Sequence, residues 1–382
     1  MSISSIESGV ITRLPAEEDL ELPASTEPKS TFHIYEKHGC HKSITPDLDP
    51  ALERRSGPTI KEQKTRRKER KERQDVGLPG VEPDDTAFFL HQPYLSFHVP
   101  PRVLYTGSDK HTARPAMLIH EGCFWKEYKL QLLPSTPGIL DPRGVVPWRH
   151  NGGDKKAVKH DDHKLKGYKV RTWRLWGETG KEHVHTVKAI RTTGEGRDPD
   201  VIARTNGKSG EAATADDVVY LRWKNPLSCH TRCYHFEYAG IDFFWKGTGT
   251  VKESRTCGVL LRFNHLKLVA RLPVAEENKE EQGEVCLGVY TSSVASRKSG
   301  TLELFDTAIL RLIDEYAPEV LARSEEGAEE EEEESAGILR IKRSRLYQMF
   351  VATGMCMIKS EKEKRHTLLD LLVNVAEGGA GG

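Results

Sequence analysis

Between Val218 and Thr291 apolar and polar residues alternate in short runs: VVYLRW, RCYHFEY, IDFFWKGTGTV, CGVLLRF, HLKLVARL and EVCLGVYT. Each run is bounded by Gly, Pro, Asn or a charged stretch, with turns expected at Asn225-Pro226 and Ala239-Gly240. A period of two predicts strands with one buried face, and six such strands in close succession predict an antiparallel sheet or barrel. Upstream, AFFLHQPYLSFHV (Ala87–Val99) and PAMLIHEGCFWKEYKLQLL (Pro115–Leu133) carry the same signal. YKVRTWRLW (Tyr168–Trp176), ETGKE and HVHTVKAI read as a hairpin, and TLELF (Thr301–Phe305) as a last strand. The stretch from Leu133 to Asp162 is dense in turn residues and charges and reads as loop.

The period then changes. From Thr307 to Leu321, Ile309, Leu310, Ile313, Tyr316 and Val320 recur at helical spacing, which predicts an amphipathic surface helix. LYQMFVATGMCMI (Leu346–Ile358) is apolar almost all round, as a helix buried on most sides must be. Thirteen residues at ~1.5 Å each fall well short of a bilayer core of about 30 Å. The strands upstream are its natural wrapping. Leu346, Phe350, Val351, Met355 and Met357 would fill a barrel, and Gly354 would admit a close strand side chain. The expected fold is α+β, mainly β: a closed antiparallel β-barrel around a C-terminal apolar helix. The amphipathic helix is the rival for its centre.

Composition adds flanks to this picture. Of 382 residues 37% are hydrophobic and 30% charged, which is polar for a wholly folded chain. Residues 1–84 are rich in Pro, Ser, Glu and Lys, and are expected to be a disordered basic arm. The barrel domain is placed at 85–374, with an acidic insertion at 324–336 and a flexible Gly-rich tail at 375–382. Lys plus Arg and Asp plus Glu number 57 each, so net charge points to no partner. The charge is blocked, however, and the arm's Lys64, Arg66, Arg67, Lys68, Arg70 and Lys71 form a candidate nuclear-import cluster. No aromatic residues interleave with it, so nucleic-acid binding by stacking is not expected.

Chemistry is sparse. CHTRCYH brings Cys229, Cys233 and His235 together at a spacing zinc tolerates, with Cys257 or His265 as distant completions. The same residues alternate with apolar neighbours as an ordinary strand would, and neither a metal nor any other cofactor is expected. There is no G-x-S-x-G elbow, kinase signature or P-loop, and GTGT (Gly247–Thr250) reads as a turn, so no enzyme is expected. Seven scattered cysteines and no secretory signal imply reduced thiols and a place in the cytoplasm or nucleus. No run reaches transmembrane length.

The hairpin HLKLVARL…EVCLGVYT, the strand GTLELF and the closing helix LYQMFVATGMCMI resemble the C-terminal domain of the tubby superfamily, with its LURP-one-related and scramblase-like members. YHFEYAGIDFFWKGTGTV…CGVLLRFNHLKLVARLP is similar to filamentous-fungal proteins of that architecture. The resemblance implies a closed barrel around a helix and a binding role toward anionic lipid headgroups. Lys246, Lys252, Arg255, Arg262, Lys267 and Arg271 are the candidate basic residues for it. A protein-interaction adaptor is the alternative.

Overall fold

The computed structural model describes residues 28–37, 41–75, 86–95, 98–108, 113–122, 127–134, 138–141, 143–168, 212–224, 233–247, 256–257, 261–262, 266–272, 283–293, 295–322 and 333–378. In chain order the first elements are β1 (Ser30–Glu36), β2 (Lys42–Thr45), α1 (Pro50–Glu53), α2 (Ile60–Asp75), β3 (Phe88–His91), β4 (Arg102–Thr106), β5 (Arg114–Glu121) and β6 (Glu127–Leu132). A 3₁₀ turn (Trp148–His150) and α3 (Lys155–His160) precede β7 (Asp217–Trp223), β8 (Cys233–Tyr238) and β9 (Ile241–Lys246). The remainder comprises β10 (Thr256–Cys257), β11 (Leu261–Arg262), β12 (Leu266–Arg271), β13 (Glu284–Ser292), β14 (Lys298–Leu304), α4 (Asp306–Tyr316), α5 (Glu319–Ala322), α6 (Glu333–Arg343) and α7 (Arg345–Gly378).

Twelve strands close into an antiparallel barrel in the order β1-β14-β13-β12-β9-β8-β7-β6-β5-β4-β3-β2, while β10 and β11 form a separate hairpin. Closure leaves the twelve barrel strands without an unpaired edge to invite association. β8 and β9 are joined by Ala239-Gly240, both at positive φ (51° and 73°), the conformation a two-residue hairpin of right-handed strands demands.

Within the arm expected to be disordered at 1–84, the expectation is corrected where β1, β2, α1 and α2 stand, while residues 1–27, 38–40 and 76–85 lie outside the described residues. β1 pairs with β14 from Ser30↔Leu304 to Tyr35↔Lys298 and with β2, and β2 pairs with β3, so the arm closes the barrel. Its few large apolar side chains suffice because they are the inward ones: Phe32, Ile34 and Ile44 are buried in the main core. The barrel therefore begins at Ser30, not at residue 85. The basic cluster is helical as well. Thr59 and Glu62 cap α2 reciprocally: the Thr59 N–H donates to Glu62 Oε2 at 2.7 Å and the Glu62 N–H to Thr59 Oγ1 at 3.3 Å.

In the acidic insertion placed at 324–336, α6 begins at Glu333, and residues 323–332 lie outside the described set. In the proposed tail, α7 continues to Gly378. Within 133–162, read as loop, the structure has the 3₁₀ turn and α3; Ile139 and Val146 from this stretch, with Leu165 and Ala215 from beyond it, pack on Val103, Tyr105 and Leu118 of β4 and β5. The hairpin expected after Tyr168 falls outside the described residues.

The amphipathic helix is present as α4, which buries Ile309, Leu312 and Ile313. Residues Leu346–Ile358 form part of α7, and Leu346, Tyr347, Phe350, Val351, Met355 and Met357 are fully buried. Side chains of β1 and β9 meet this segment. Phe350 sits edge-on to Phe243 of β9 at 5.2 Å and Tyr347 to Phe32 of β1 at 6.2 Å. The Trp245 indole N–H donates to Thr353 Oγ1 at 2.9 Å, and Tyr128 of β6 shares a hydrogen bond with Ser360 at 2.5 Å. A Cβ at Gly354 would lie 3.3 Å from the Trp245 ring, the close approach its place in the apolar run implied. Asp306, buried at the start of α4, accepts from Ser30 Oγ at 2.7 Å and Tyr347 OH at 3.1 Å, tying β1 to α7. Burial pushes its carboxyl above the ordinary range. Among the described residues no helix is long and apolar enough to cross a membrane, which says nothing of the strands.

Candidate anion-binding surface

β9 (IDFFWK) sends Ile241, Phe243 and Trp245 into the core, so Asp242, Phe244 and Lys246 stand on the barrel's outer face. β12 (LKLVAR) does the same with Leu266, Leu268 and Ala270, leaving Lys267, Val269 and Arg271 outside. Register makes rows of these alternations. Lys246 lies directly opposite Lys267 on one side and Cys233 on the other. Phe244 lies between Val269 and His235, and Asp242 between Arg271 and Glu237. Two lysines placed face to face across a ladder are a destabilising pair unless a counter-charge serves them.

One carboxylate does part of that. Glu284 of β13 accepts from Lys246 Nζ at 2.6 Å and from Arg271 Nη2 at 3.2 Å. Lys267 is 6% exposed and has neither an ion pair nor a side-chain hydrogen bond among the described residues. The Phe244 ring is flanked by two cations, the Arg271 guanidinium at 4.4 Å and the Lys224 ammonium at 4.7 Å from its centroid. His235 packs on the same ring at 4.8 Å and bonds through Nε2 to Asp242. The face thus gathers four cations, Lys224, Lys246, Lys267 and Arg271, against Glu284, Glu237 and the His235-bound Asp242.

An open polar cleft of ≈ 330 Å³ borders it, walled by β7 and β8 with Tyr220, Arg222, His235 and Glu237. Tyr220, Arg222 and His235 are already engaged. Arg222 lies 4.9 Å over the Tyr220 ring and donates to Glu127 at 2.6 Å, while the Tyr220 hydroxyl donates to Asp162. Asp162 also accepts from Lys129 at 2.8 Å, and these donors hold its carboxyl below the ordinary range.

Of the six basic residues singled out in the sequence, Lys246, Lys267 and Arg271 fall on this face. Arg262 is on β11, its side chain outside the described set, as are Lys252 and Arg255 altogether. All three belong to the connection between β9 and β12. Lys224, Phe244 and Glu284 were missed: alternation marks them as outward-facing, but only cross-strand register brings them together.

The zinc candidates are separated in role. Cys229 lies outside the described residues. Cys233 has its thiol pushed up by burial, against the pull of Lys246, Lys224 and Arg271, and His235 is committed to Asp242. Among the described residues no three His, Cys, Asp or Glu side chains are grouped to hold a metal ion.

In the import cluster Arg66 is turned back onto the barrel, donating from both terminal nitrogens to Asp49 at 2.8 Å each. Lys64 and Lys68 are exposed, and the side chains of Arg67, Arg70 and Lys71 lie outside the described set. Fold and face together define a closed antiparallel barrel with a basic, aromatic-centred outer patch. Compared with protein-family models, with curated proteins and with solved structures, the chain matches none.

Proposed function

We propose that the protein is a non-enzymatic, tubby-like binding module whose β9–β12 face takes the phosphate groups of anionic lipid headgroups. In this reading the apolar half of α7 occupies the barrel's centre, and the rigid wall around it presents the cations. The observation that carries it is the cross-strand pairing of Lys246 with Lys267, with Glu284 as the one carboxylate bonded to the Lys246–Arg271 pair. Like charges so placed are relieved by a bound anion. Arg271 supplies a planar fork suited to phosphate, and the lysines supply point charges. Lys252, Arg255 and Arg262, in the connection that leaves β9 and enters β12, extend the same chemistry.

Titration with a soluble inositol phosphate, followed by calorimetry, is the direct test. At roughly 1 kcal/mol per cation, the triple variant K246Q/K267Q/R271Q binds more weakly by two orders of magnitude or so, and added salt weakens the wild type. Unchanged affinity in the folded triple variant refutes the reading.

A further inference from the structure

A different flank of the barrel carries the exposed apolar side chains. Of the five large apolar residues left exposed among the described residues, three are Tyr94, Val99 and Trp148, at 54%, 92% and 47% exposure. They surround one anchor. Leu95, beside Tyr94, is buried with Val145 and Tyr168. His98, beside Val99, meets the Tyr168 ring edge-on at 5.8 Å, and Pro147, beside Trp148, bridges to Tyr168 through its backbone. The β3–β4 connection, with Tyr94 and Val99, and the 3₁₀ turn, with Trp148, therefore bring their apolar tips out around Tyr168.

Cations stand among these tips. Lys166, exposed, holds its ammonium 5.3 Å from the Tyr168 ring centroid. Arg149, exposed, bonds to His150 Nε2 at 3.1 Å and to the Gly138 carbonyl at 3.4 Å. Neither has a carboxylate partner among the described residues, and the same holds for the exposed Lys155, Lys156 and Lys159 of α3. Tryptophan and tyrosine settle at the headgroup level of a bilayer, where one end of the ring is apolar and the other wet. Uncompensated cations beside them are drawn to anionic lipid. Bulky tips interspersed with cations match that mixed interface, whereas a dry protein–protein core excludes charge.

We propose that this flank docks on the surface of an anionic lipid bilayer, with Trp148, Tyr94 and Val99 entering the interface and Arg149 and Lys166 meeting the headgroups. The surface is independent of the Phe244 face. It is built on residues that overlie β4 and β5, and β6 to β8 separate those strands from β9 in the barrel order.

The test uses the full chain and phosphatidylcholine vesicles with or without phosphatidylserine. Wild type cosediments with the phosphatidylserine vesicles, and its tryptophan emission shifts to the blue. The shift is absent in W148F, and W148S/V99S binds about tenfold more weakly or worse, since affinity follows buried apolar area. K166Q loses about fivefold, the equivalent of one cation near the membrane. All three keep the wild-type response to soluble inositol phosphate, so failure here and failure of the basic-face reading are told apart. Wild-type vesicle binding by W148S/V99S overturns the proposal. So does a W148S/V99S protein that unfolds while K166Q binds vesicles like wild type, since the tips would then be internal packing.

Discussion

Replacing Thr353 by Val tests the contact between α7 and the barrel wall. Thr353 and Trp245 are both fully buried, and the Thr353 hydroxyl accepts the indole N–H at 2.9 Å. Valine matches threonine in shape, so little cavity forms, but the indole N–H is left in an apolar surround without a partner. Such an orphaned donor costs ~1–3 kcal/mol, and we expect about 2 kcal/mol. The hydroxyl also donates to the Met349 carbonyl at 2.8 Å, a local bond within the helix that serine would keep. Thr353→Ser should therefore cost clearly less. Urea unfolding followed by circular dichroism measures each variant, and a double-mutant cycle with Trp245→Phe isolates the pair. With the indole gone, Thr353→Val has no donor to orphan, so the coupling should be about 1–2 kcal/mol. Additivity within ~0.5 kcal/mol would mean the hydroxyl and indole do not meet, and the placement of α7 against β9 would fall with it.

Two further outcomes follow from the geometry. His120 Nε2 pairs with Gln131 Oε1 at 2.7 Å, and desolvation, with Lys129 and Lys166 nearby, lowers its pKa from 6.5 to about 4. Between those values the unfolded chain binds a proton that the folded one does not, so the stability from neutral His120 is full above pH 6.5 and is lost as pH falls toward 4. At ~1.4 kcal/mol per unit this is at most about 3.5 kcal/mol; His120→Asn should flatten that part of the pH profile in urea midpoints, and an unchanged slope would refute it. Ala239 holds φ at 51° in the β8–β9 turn, where Asn is at ease and Ala is not. Ala239→Asn should raise stability by about 0.5–1 kcal/mol, read as a higher melting temperature, and a lower one would contradict the turn geometry.

Several of these features were visible in local patterning. The runs of β6, β8, β9 and β12 were read as strands with one buried face, and each has one, because a pleated strand against a core leaves no other phase. The burial of every residue from Leu346 to Met357 except the half-buried Gln348 followed from an apolar surface with no charged stripe to turn toward water. The misreading of residues 30–75 has the opposite cause. β1 and β2 are flanked by charge and unable to bury themselves, so no window around them looks structured. They are strands because β14 and β3, some 270 and 40 residues away in sequence, supply their hydrogen bonds. Asp306 completes the effect by bonding Ser30 to Tyr347 across the same gap.

What the sequence determined by itself is the set of parts: outward cations on β9 and β12, the apolar helix, the Ala239-Gly240 turn. Only the tertiary structure decided which outward residues share a row, since register is a relation between strands and no single strand carries it. It set Lys246 against Lys267, brought Glu284 to two cations and left Lys267 unserved. It also stood Tyr94, Val99 and Trp148 around Tyr168 by folding a charged loop into a second layer over the barrel. Periodicity records which way a side chain faces; long-range pairing alone determines what it faces with.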